Sequence, residues 1–424
     1  MVKALHYIYW LIIFSYGILI LFDFPTAIFK VGVPLITLLL FIEQIIRRRG
    51  RIFFPFIKII VLFIFFTFLS AIINRINFFN FIYFLIFTLN AYFYFIVIIN
   101  ENNDFLIFKI KKIVIYLIAI QIPVIIFKFF NLGITESGGI GTIAVHAGSL
   151  SMIFPCLLIS IFISYYFHTK KNKYLLYILF FTLFSLIGSK RAILLFIPLQ
   201  FLFGYILHYF IFNKNQFFTS NNIYSSIKAI FLVIFIIIFT AKAIPKLNPE
   251  GKLWGSFDFN HIIYFISDYT KTKNNSLYEI RRLDGFVYFI DYLFNSDTNV
   301  ILFGEGAGKL IKSKFNENQG SMGELYGVRY GGRMGIIWLL LQVGLVGTFL
   351  FLYLLFSLNK FIYKKYKSNF RSDPLIIGFF IASIVIIVDL LFYSNVFMTK
   401  EIIKGLYFSI AGFIINYNHL DRLT

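Results

Sequence analysis

The residues best suited to chemistry are arginines in a long polar stretch, residues 244–334, which interrupts an otherwise hydrophobic chain. Arg281 and Arg282 lie near its middle, and Arg329 and Arg333 lie close to its end. Two arginines four residues apart on a helix share a face and repel each other, and an anion bound between them relieves the repulsion by accepting forked hydrogen bonds. The stretch therefore predicts recognition of an anion. The alternative for Arg281 is contact with lipid headgroups, and for Arg329 and Arg333 a solvated, snorkelling position.

A glycine-rich patch, Gly304-Glu305-Gly306-Ala307-Gly308-Lys309, lies between the two arginine pairs. It resembles the phosphate-binding loop of nucleotide-binding proteins, but its spacing is one residue short, and Leu310 follows the lysine where that loop needs Ser or Thr. Two interpretations stay open at this point. Either the patch forms a tight turn, or Gly304 and Gly306 contact a substrate through exposed backbone amides.

Few groups in the chain are placed to act as an acid or a base. Glu324 lies shortly before the second arginine pair, where Tyr330 also lies, and His146 lies in a connection rich in Gly and Thr. Glu324 or His146 could accept a proton from a hydroxyl, with Glu305 a poorer choice, although a lone histidine in a loop is more often only a loop residue. No two histidines stand four residues apart and no Asp-x-Asp occurs. The sequence therefore predicts no metal site and no cofactor.

The elements that must position these residues are membrane helices. The chain is 59% hydrophobic and only 14% charged, whereas soluble domains have about 25% charged residues. Hydropathy predicts an all-α polytopic membrane protein, residues 1–424 forming a single membrane domain, with about twelve spans of ~20 residues each. The predicted cores are 7–22, 28–42, 54–73, 78–99, 113–130, 149–167, 174–187, 192–212, 227–241, 335–356, 374–393 and 402–415.

Basic residues in alternate connections predict the orientation. They form four clusters: Arg47–Arg51, Lys109–Lys112, Lys170–Lys173 and Lys360–Arg371. With twelve alternating spans all four clusters fall on one side, which the positive-inside rule places in the cytoplasm together with both termini. Residues 244–334 then form a large external loop, and Lys190-Arg191 lies on the outer side, where cations are scarce. Since short cytoplasmic loops explain much of the net charge of +20, nucleic acid is not an expected partner.

Within the external loop, residues 276–295 predict an amphipathic helix. Ser276 can cap this helix, with Glu279 at the spacing of a capping box. Five residues would form one apolar stripe at helical spacing: Ile280, Leu283, Val287, Ile290 and Phe294. Phe289 and Tyr292 would then lie beside that stripe, on its flank.

Four segments of the chain resemble the bacterial O-antigen polymerase and O-antigen ligase superfamily, multi-span enzymes of the membrane-embedded C-type glycosyltransferase kind. The segments are Gly188-Ser189-Lys190-Arg191-Ala192, Arg282-Leu283-Asp284-Gly285-Phe286, Leu302-Phe303-Gly304-Glu305-Gly306 and Gly344-Leu345-Val346-Gly347. Each is weak alone, and their order and spacing together carry the resemblance over residues 146–356. The ligases usually have a His-Asn pair where this chain reads Gly323-Glu324-Leu325-Tyr326, so the polymerase side is favoured.

The resemblance implies a metal-independent glycosyltransferase at the outer face of the bacterial inner membrane. It would transfer an undecaprenyl-pyrophosphate-linked glycan onto a sugar hydroxyl of another lipid-linked repeat unit, in lipopolysaccharide or other polysaccharide biosynthesis. Arg191 and Arg282 would act on the departing pyrophosphate, with Arg329 or Arg333 assisting, and Glu324 or His146 would act as the base. The remaining contacts to pyrophosphate and sugar would come from Lys190, Arg281, Tyr330, Gly304 and Gly306.

Two other functions stay open. One is an O-antigen ligase that acts on the lipid A core, and the other is a flippase for lipid-linked oligosaccharides, which is not an enzyme. Flippases are often built from two related halves, and residues 1–212 and 213–424 show no such similarity. The expected partners are the lipid-linked oligosaccharide, membrane lipid and a chain-length regulator protein.

Overall fold

The computed structural model describes residues 2–24, 27–133, 135, 138–145, 148–188, 190, 192–212, 220–244, 247–252, 254–262, 264, 282–310, 334–366 and 373–417. Of these, residues 27–28, 210–212, 220–223, 282–283 and 417 are described by their backbone. The described ranges consist of helices joined by turns and contain no β-strand.

The helices follow in chain order as α1 (Val2–Leu21), α2 (Ala27–Arg47), α3 (Ile57–Ile73), α4 (Phe78–Ile99), α5 (Asp104–Leu132), α6 (Leu150–Thr169), α7 (Lys173–Ile187), α8 (Ile193–Tyr205), α9 (Ser220–Ala243), α10 (Arg282–Phe294), α11 (Thr298–Phe303), α12 (Gly335–Tyr366), α13 (Pro374–Val388), α14 (Val396–Thr399) and α15 (Glu401–Tyr417). Two π-helical segments, Ile206–Phe212 and Asp389–Tyr393, continue α8 and α13.

Eight helices in the described part of the chain are long and apolar enough to cross a membrane. They are α1, α2, α4, α5, α6, α9, α12 and α13 with its π-helical continuation, and α3, α7 and α8 are shorter apolar helices. Each of the twelve predicted cores falls on a helix, the last one on α15. The chain thus has the architecture of an all-helical polytopic membrane protein. The count of about twelve crossings, at ~20 residues each, stays a prediction.

Short polar side chains set the starts of three of these helices. The side chains of Asn77, Asn103 and Asp373 accept hydrogen bonds from the amides of residues 79, 106 and 375, at 2.9, 3.0 and 2.8 Å. Each such cap satisfies an amide that the helix itself leaves without a partner, which stabilises a helix by about 1 kcal/mol. These caps begin α4, α5 and α13.

The core of the bundle lies around α6 and α4. Every residue of α6 from Leu150 to Ser160 is buried, and this helix packs against α7, α8 and α13. Helix α4 packs against α2 and α15. Asn416, near the end of α15, donates to the carbonyl oxygens of Ile98 and Glu101 at 2.7 Å each.

The bundle has two ends, which we call proximal and distal. The proximal end contains the Arg47–Glu101 ion pair, with 2.6 Å between Nη2 and Oε2. The distal end is formed by residues 138–145, 188, 190, 304–310 and 394–401. In the predicted orientation the proximal end faces the cytoplasm and the distal end faces outward.

Helix α10 covers the second part of the predicted amphipathic helix. It spans Arg282–Phe294, and the proposed cap at Ser276 lies outside the described residues. Of the predicted apolar stripe, Val287 and Phe294 are 51% and 81% exposed, so they face away from the rest of the protein. Phe289, placed beside that stripe, is only 1% exposed and packs with Met334, Ile337 and Leu341 at the start of α12.

Candidate functional site

Most of the predicted site residues lie outside the described residues. These are His146, Arg191, Arg281, Glu324, Arg329, Tyr330 and Arg333. Arg282 is the first residue of α10 and is described by its backbone. The structure therefore describes Lys190, Gly304, Glu305 and Gly306 together with the segments that surround them.

The glycine patch packs against a break in α12. Gly344 has φ 62° and ψ −166° inside that helix, a conformation that is essentially restricted to glycine. Gly304 has φ +74°, and a Cβ added to it would lie 2.7 Å from the Gly344 nitrogen. A Cβ on Gly344 would lie 2.5 Å from the Gly304 nitrogen. The two glycines therefore allow two backbones to meet where any side chain would separate them.

Three amides of the glycine patch donate hydrogen bonds within the protein. The amide of Glu305 donates to the Leu341 carbonyl at 2.6 Å, and that of Ala307 donates to Ser70 Oγ at 3.3 Å. The amide of Gly308 donates to the Gln342 side chain at 3.1 Å. This geometry supports the tight turn among the two interpretations of the patch.

Gly304 and Gly306 are buried in this turn. Asn74 of the α3–α4 connection donates to the Gly304 carbonyl at 3.0 Å, and a Cβ on Gly306 would lie 2.5 Å from Ile76 Cγ1. Both glycines therefore serve close packing at the distal end. The other interpretation, substrate contact, requires exposed amides at Gly304 and Gly306, and both residues are buried in this turn.

Glu305 joins α10 to the glycine patch. Tyr292 donates its hydroxyl to one carboxylate oxygen of Glu305, and Lys309 donates its amino group to the other. Both oxygens are thus engaged by fixed donors. Because these two bonds connect α10 with the glycine patch, we interpret Glu305 as a residue that holds α10 in place.

The turn that contains Lys190 packs on the loop 138–145. The Lys190 amide donates to the Ser185 carbonyl at 3.0 Å at the end of α7. A Cβ on Gly139 would lie 2.5 Å from the Gly188 nitrogen, and one on Gly188 would lie 2.6 Å from Ser151 Oγ. Gly188, the first residue of the first resembling segment, therefore lies against the start of α6.

The loop 138–145 is held firmly at the distal end. Its Thr142 carbonyl accepts from the Gly17 amide at 2.9 Å, and Thr142 Oγ1 donates to the Phe14 carbonyl at 2.6 Å. Gln121 accepts from the Thr142 amide at 2.7 Å. Lys128 donates to two carbonyl oxygens of the loop, at 2.8 and 2.7 Å. These bonds fix the loop to α1 and α5.

A cavity of about 210 Å³ opens beside this loop. It is lined by Ile13, Tyr16, Phe29, Lys30, Tyr83, Phe87, Ile143, Ala144, Leu150, Thr399, Lys400, Glu401 and Ile402. The lining combines apolar side chains with two amino groups and one carboxylate. Lys400 lies in the connection between α14 and α15, where burial lowers the pKa of its amino group. Sequence reasoning identified neither Lys30 nor Lys400.

The carboxylate of Glu401, which lines this cavity, is fixed by buried partners. Glu401 is 4% exposed, and its Oε1 accepts from Asn90 at 2.7 Å. Its Oε2 pairs with Lys404, which is fully buried, at 3.3 Å. Lys404 also donates to the Phe87 carbonyl. Buried charges need such partners. The sequence indicated this pair, because Glu401 and Lys404 stand three residues apart at the start of the last predicted span, a spacing that brings two side chains together on a helix.

No protein-family model, no curated protein sequence and no solved structure matches this chain.

Proposed function

We propose that this chain is a membrane glycosyltransferase of the O-antigen polymerase kind. It would transfer an undecaprenyl-pyrophosphate-linked glycan onto a sugar hydroxyl of a second lipid-linked repeat unit. The reaction would take place at the outer face of the bacterial inner membrane, at the distal end of the bundle.

The observation that carries this proposal is the contact between Gly304 and Gly344. These glycines belong to two separate segments of the family resemblance, and their backbones meet so closely that neither position has room for a Cβ. A third segment begins α10, which packs on the same junction through Phe289 and through the bond from Tyr292 to Glu305. Segments distant in sequence thus form one unit, as expected for parts of a shared site.

The chemistry assigned to this unit is electrostatic. Pyrophosphate leaves as the glycosidic bond breaks, and its negative charge grows in the transition state. Guanidinium groups fixed near a lipid boundary, where the local dielectric constant is low, stabilise such a charge far more than they would in water. Arg191 and Arg282 would supply these groups, because their planar forks match phosphate oxygens. Glu324 or His146 would accept the proton of the attacking hydroxyl.

Substitution of the two arginines tests this assignment. In cells that lack the native copy, Arg191→Ala or Arg282→Ala should reduce chain extension by about 100- to 1000-fold, the usual effect of removing one electrostatic contact to a transition state. The matched control is Arg51→Ala, which removes an exposed arginine at the proximal end and should leave chain extension unchanged. Near-normal chain extension in both distal variants, at equal expression, would exclude the assignment.

A flippase for lipid-linked oligosaccharides is the second candidate, and the lysine-lined cavity at the distal end favours it. Flippases move lipid-linked anions through cavities with basic linings, and Lys30 and Lys400 give this cavity such a lining. Deletion of the gene separates the two functions. Loss of a polymerase leaves single repeat units on the cell surface, whereas loss of a flippase leaves none.

A further inference from the structure

A polymerase has to hold two lipid-linked substrates at once, a donor and an acceptor. Both carry a diphosphate, and both enter from the same leaflet. The arginines of the proposed function are assigned to the donor. The distal end therefore needs a second place for a diphosphate, and the cavity between α1, α2, α4, α6 and α15 has the properties of one.

The first property is charge. Lys30 and Lys400 line the cavity, and among the described side chains neither has a carboxylate within ion-pair distance. The carboxylate of Glu401 is already bound by Asn90 and Lys404. Lys400 is partly buried, and Lys30 is exposed, with its amino group 5.8 Å from the centre of the Tyr83 ring. Since no carboxylate in the described part of the chain neutralises either charge, an anion in the cavity would accept charge-assisted hydrogen bonds from both.

The second property is the mixed character of the walls. Ile13, Phe29, Phe87 and Ile402 place hydrocarbon beside the two amino groups. An inorganic anion gains nothing from such walls, whereas a diphosphate on an isoprenoid chain presents charge and hydrocarbon together. The composition of the cavity thus fits a lipid diphosphate better than a free one.

The third property is rigidity and position. The rim residues Ile143 and Ala144 belong to the loop that Gln121, Lys128 and Thr142 fix to α1 and α5. Leu150, which lines the cavity, is followed by Ser151, which packs against Gly188 of the segment that contains Arg191. The cavity therefore has a fixed rim and lies close to Gly188, which precedes Arg191 by three residues in the chain.

We propose that this cavity binds the diphosphate of the acceptor, a polyprenyl-diphosphate-linked saccharide, with Lys30 and Lys400 as its phosphate contacts. The pair of Glu401 and Lys404 forms the fixed floor of the site. This inference rests on the proposed function for the identity of the acceptor, while the binding of a lipid diphosphate can be measured without it.

The binding experiment uses the purified full-length chain in detergent, with farnesyl diphosphate as the probe and inorganic pyrophosphate as the competitor. Lys30→Gln and Lys400→Gln should each weaken one bound equivalent about tenfold, which corresponds to about 1.4 kcal/mol, since glutamine keeps a hydrogen-bond donor but loses the charge. The double variant should lose that equivalent. Lys58→Gln removes an exposed lysine of α3 outside the cavity and should bind as the wild type does.

Replacing both lysines by arginine keeps the charge and should retain binding, which separates loss of charge from misfolding. Unchanged affinity and stoichiometry in the double glutamine variant would overturn the site. Equal competition by inorganic pyrophosphate and farnesyl diphosphate would overturn the assignment to a lipid.

Kinetics then distinguish this inference from the proposed function. In a chain-extension assay the double glutamine variant should raise the KM for the acceptor about a hundredfold, following the two tenfold losses of affinity. If the wild type polymerised and the variant kept its acceptor KM, the acceptor site would be wrong and the proposed function would stand. If the wild type bound farnesyl diphosphate through the two lysines but made no polymer, the proposed function would be wrong and the diphosphate site would stand.

Discussion

Gly344→Ala should lower the stability of the distal end strongly, because Gly344 lies where α12 meets the glycine patch. The φ of 62° and ψ of −166° at this position cost an alanine about 1–3 kcal/mol. The new Cβ would also lie 2.5 Å from the Gly304 nitrogen, with the Leu302 carbonyl closer still, and such overpacking costs about 1–3 kcal/mol. We therefore expect a loss of about 2–6 kcal/mol.

Gly50 provides the matched control, since its φ of +77° is also positive but no atom lies within 4 Å of an added Cβ. Gly50→Ala should cost only the backbone term, about 1–2 kcal/mol. The assay is the temperature at which half of the purified protein loses its monodisperse peak, measured alongside chain extension in cells. Gly344→Ala should lower both values further than Gly50→Ala. Equal midpoints for the two variants would refute the close packing of Gly304 on Gly344.

Two further predictions concern the proximal end and the rim of the cavity. Burial alone would raise the pKa of the Glu101 carboxyl, but Arg47 and the Asn103 amide outweigh this and hold the pKa below its ordinary value. Its contribution to stability is thus present at neutral pH and lost as pH falls through that lowered pKa. Glu101→Gln should cost about 1–3 kcal/mol at neutral pH and flatten the acid branch of a thermal-stability profile; a wild-type profile would contradict this. Gly17→Ala would place a Cβ 2.6 Å from the Ala144 carbonyl carbon, so it should displace the rim and weaken farnesyl diphosphate binding. Gly32→Ala, with no atom within 4 Å of its added Cβ, should not, and equal effects of the two would exclude the fixed rim.

Hydropathy was sufficient to locate the helices, because apolar runs of membrane length have few other stable conformations. It could not identify the buried face of α10. Val287 and Phe289 are both apolar, and Phe289 is the buried one because Met334 and Ile337 pack against it. Those partners lie far along the chain, so no local spacing indicates them.

The cavity could not be predicted for a similar reason. Lys30 and Lys400 each lie near the start of a predicted span, where a lysine is ordinarily a snorkelling cation. Only the packing of α2 and α15 around α4 brings them to one cavity. The assignments of Arg191, Arg282 and the base rest on the family resemblance and stay predictions.

The most direct test of the account is reconstitution of the purified chain with a single undecaprenyl-pyrophosphate-linked repeat unit and no other protein. Lipid-linked products separated by size should form a ladder that rises by one repeat unit per step, with release of undecaprenyl pyrophosphate at each step. A ladder that forms in the wild type and is lost in Arg282→Ala would support the polymerase. Repeat units that stay single in the presence of folded wild-type protein would contradict it.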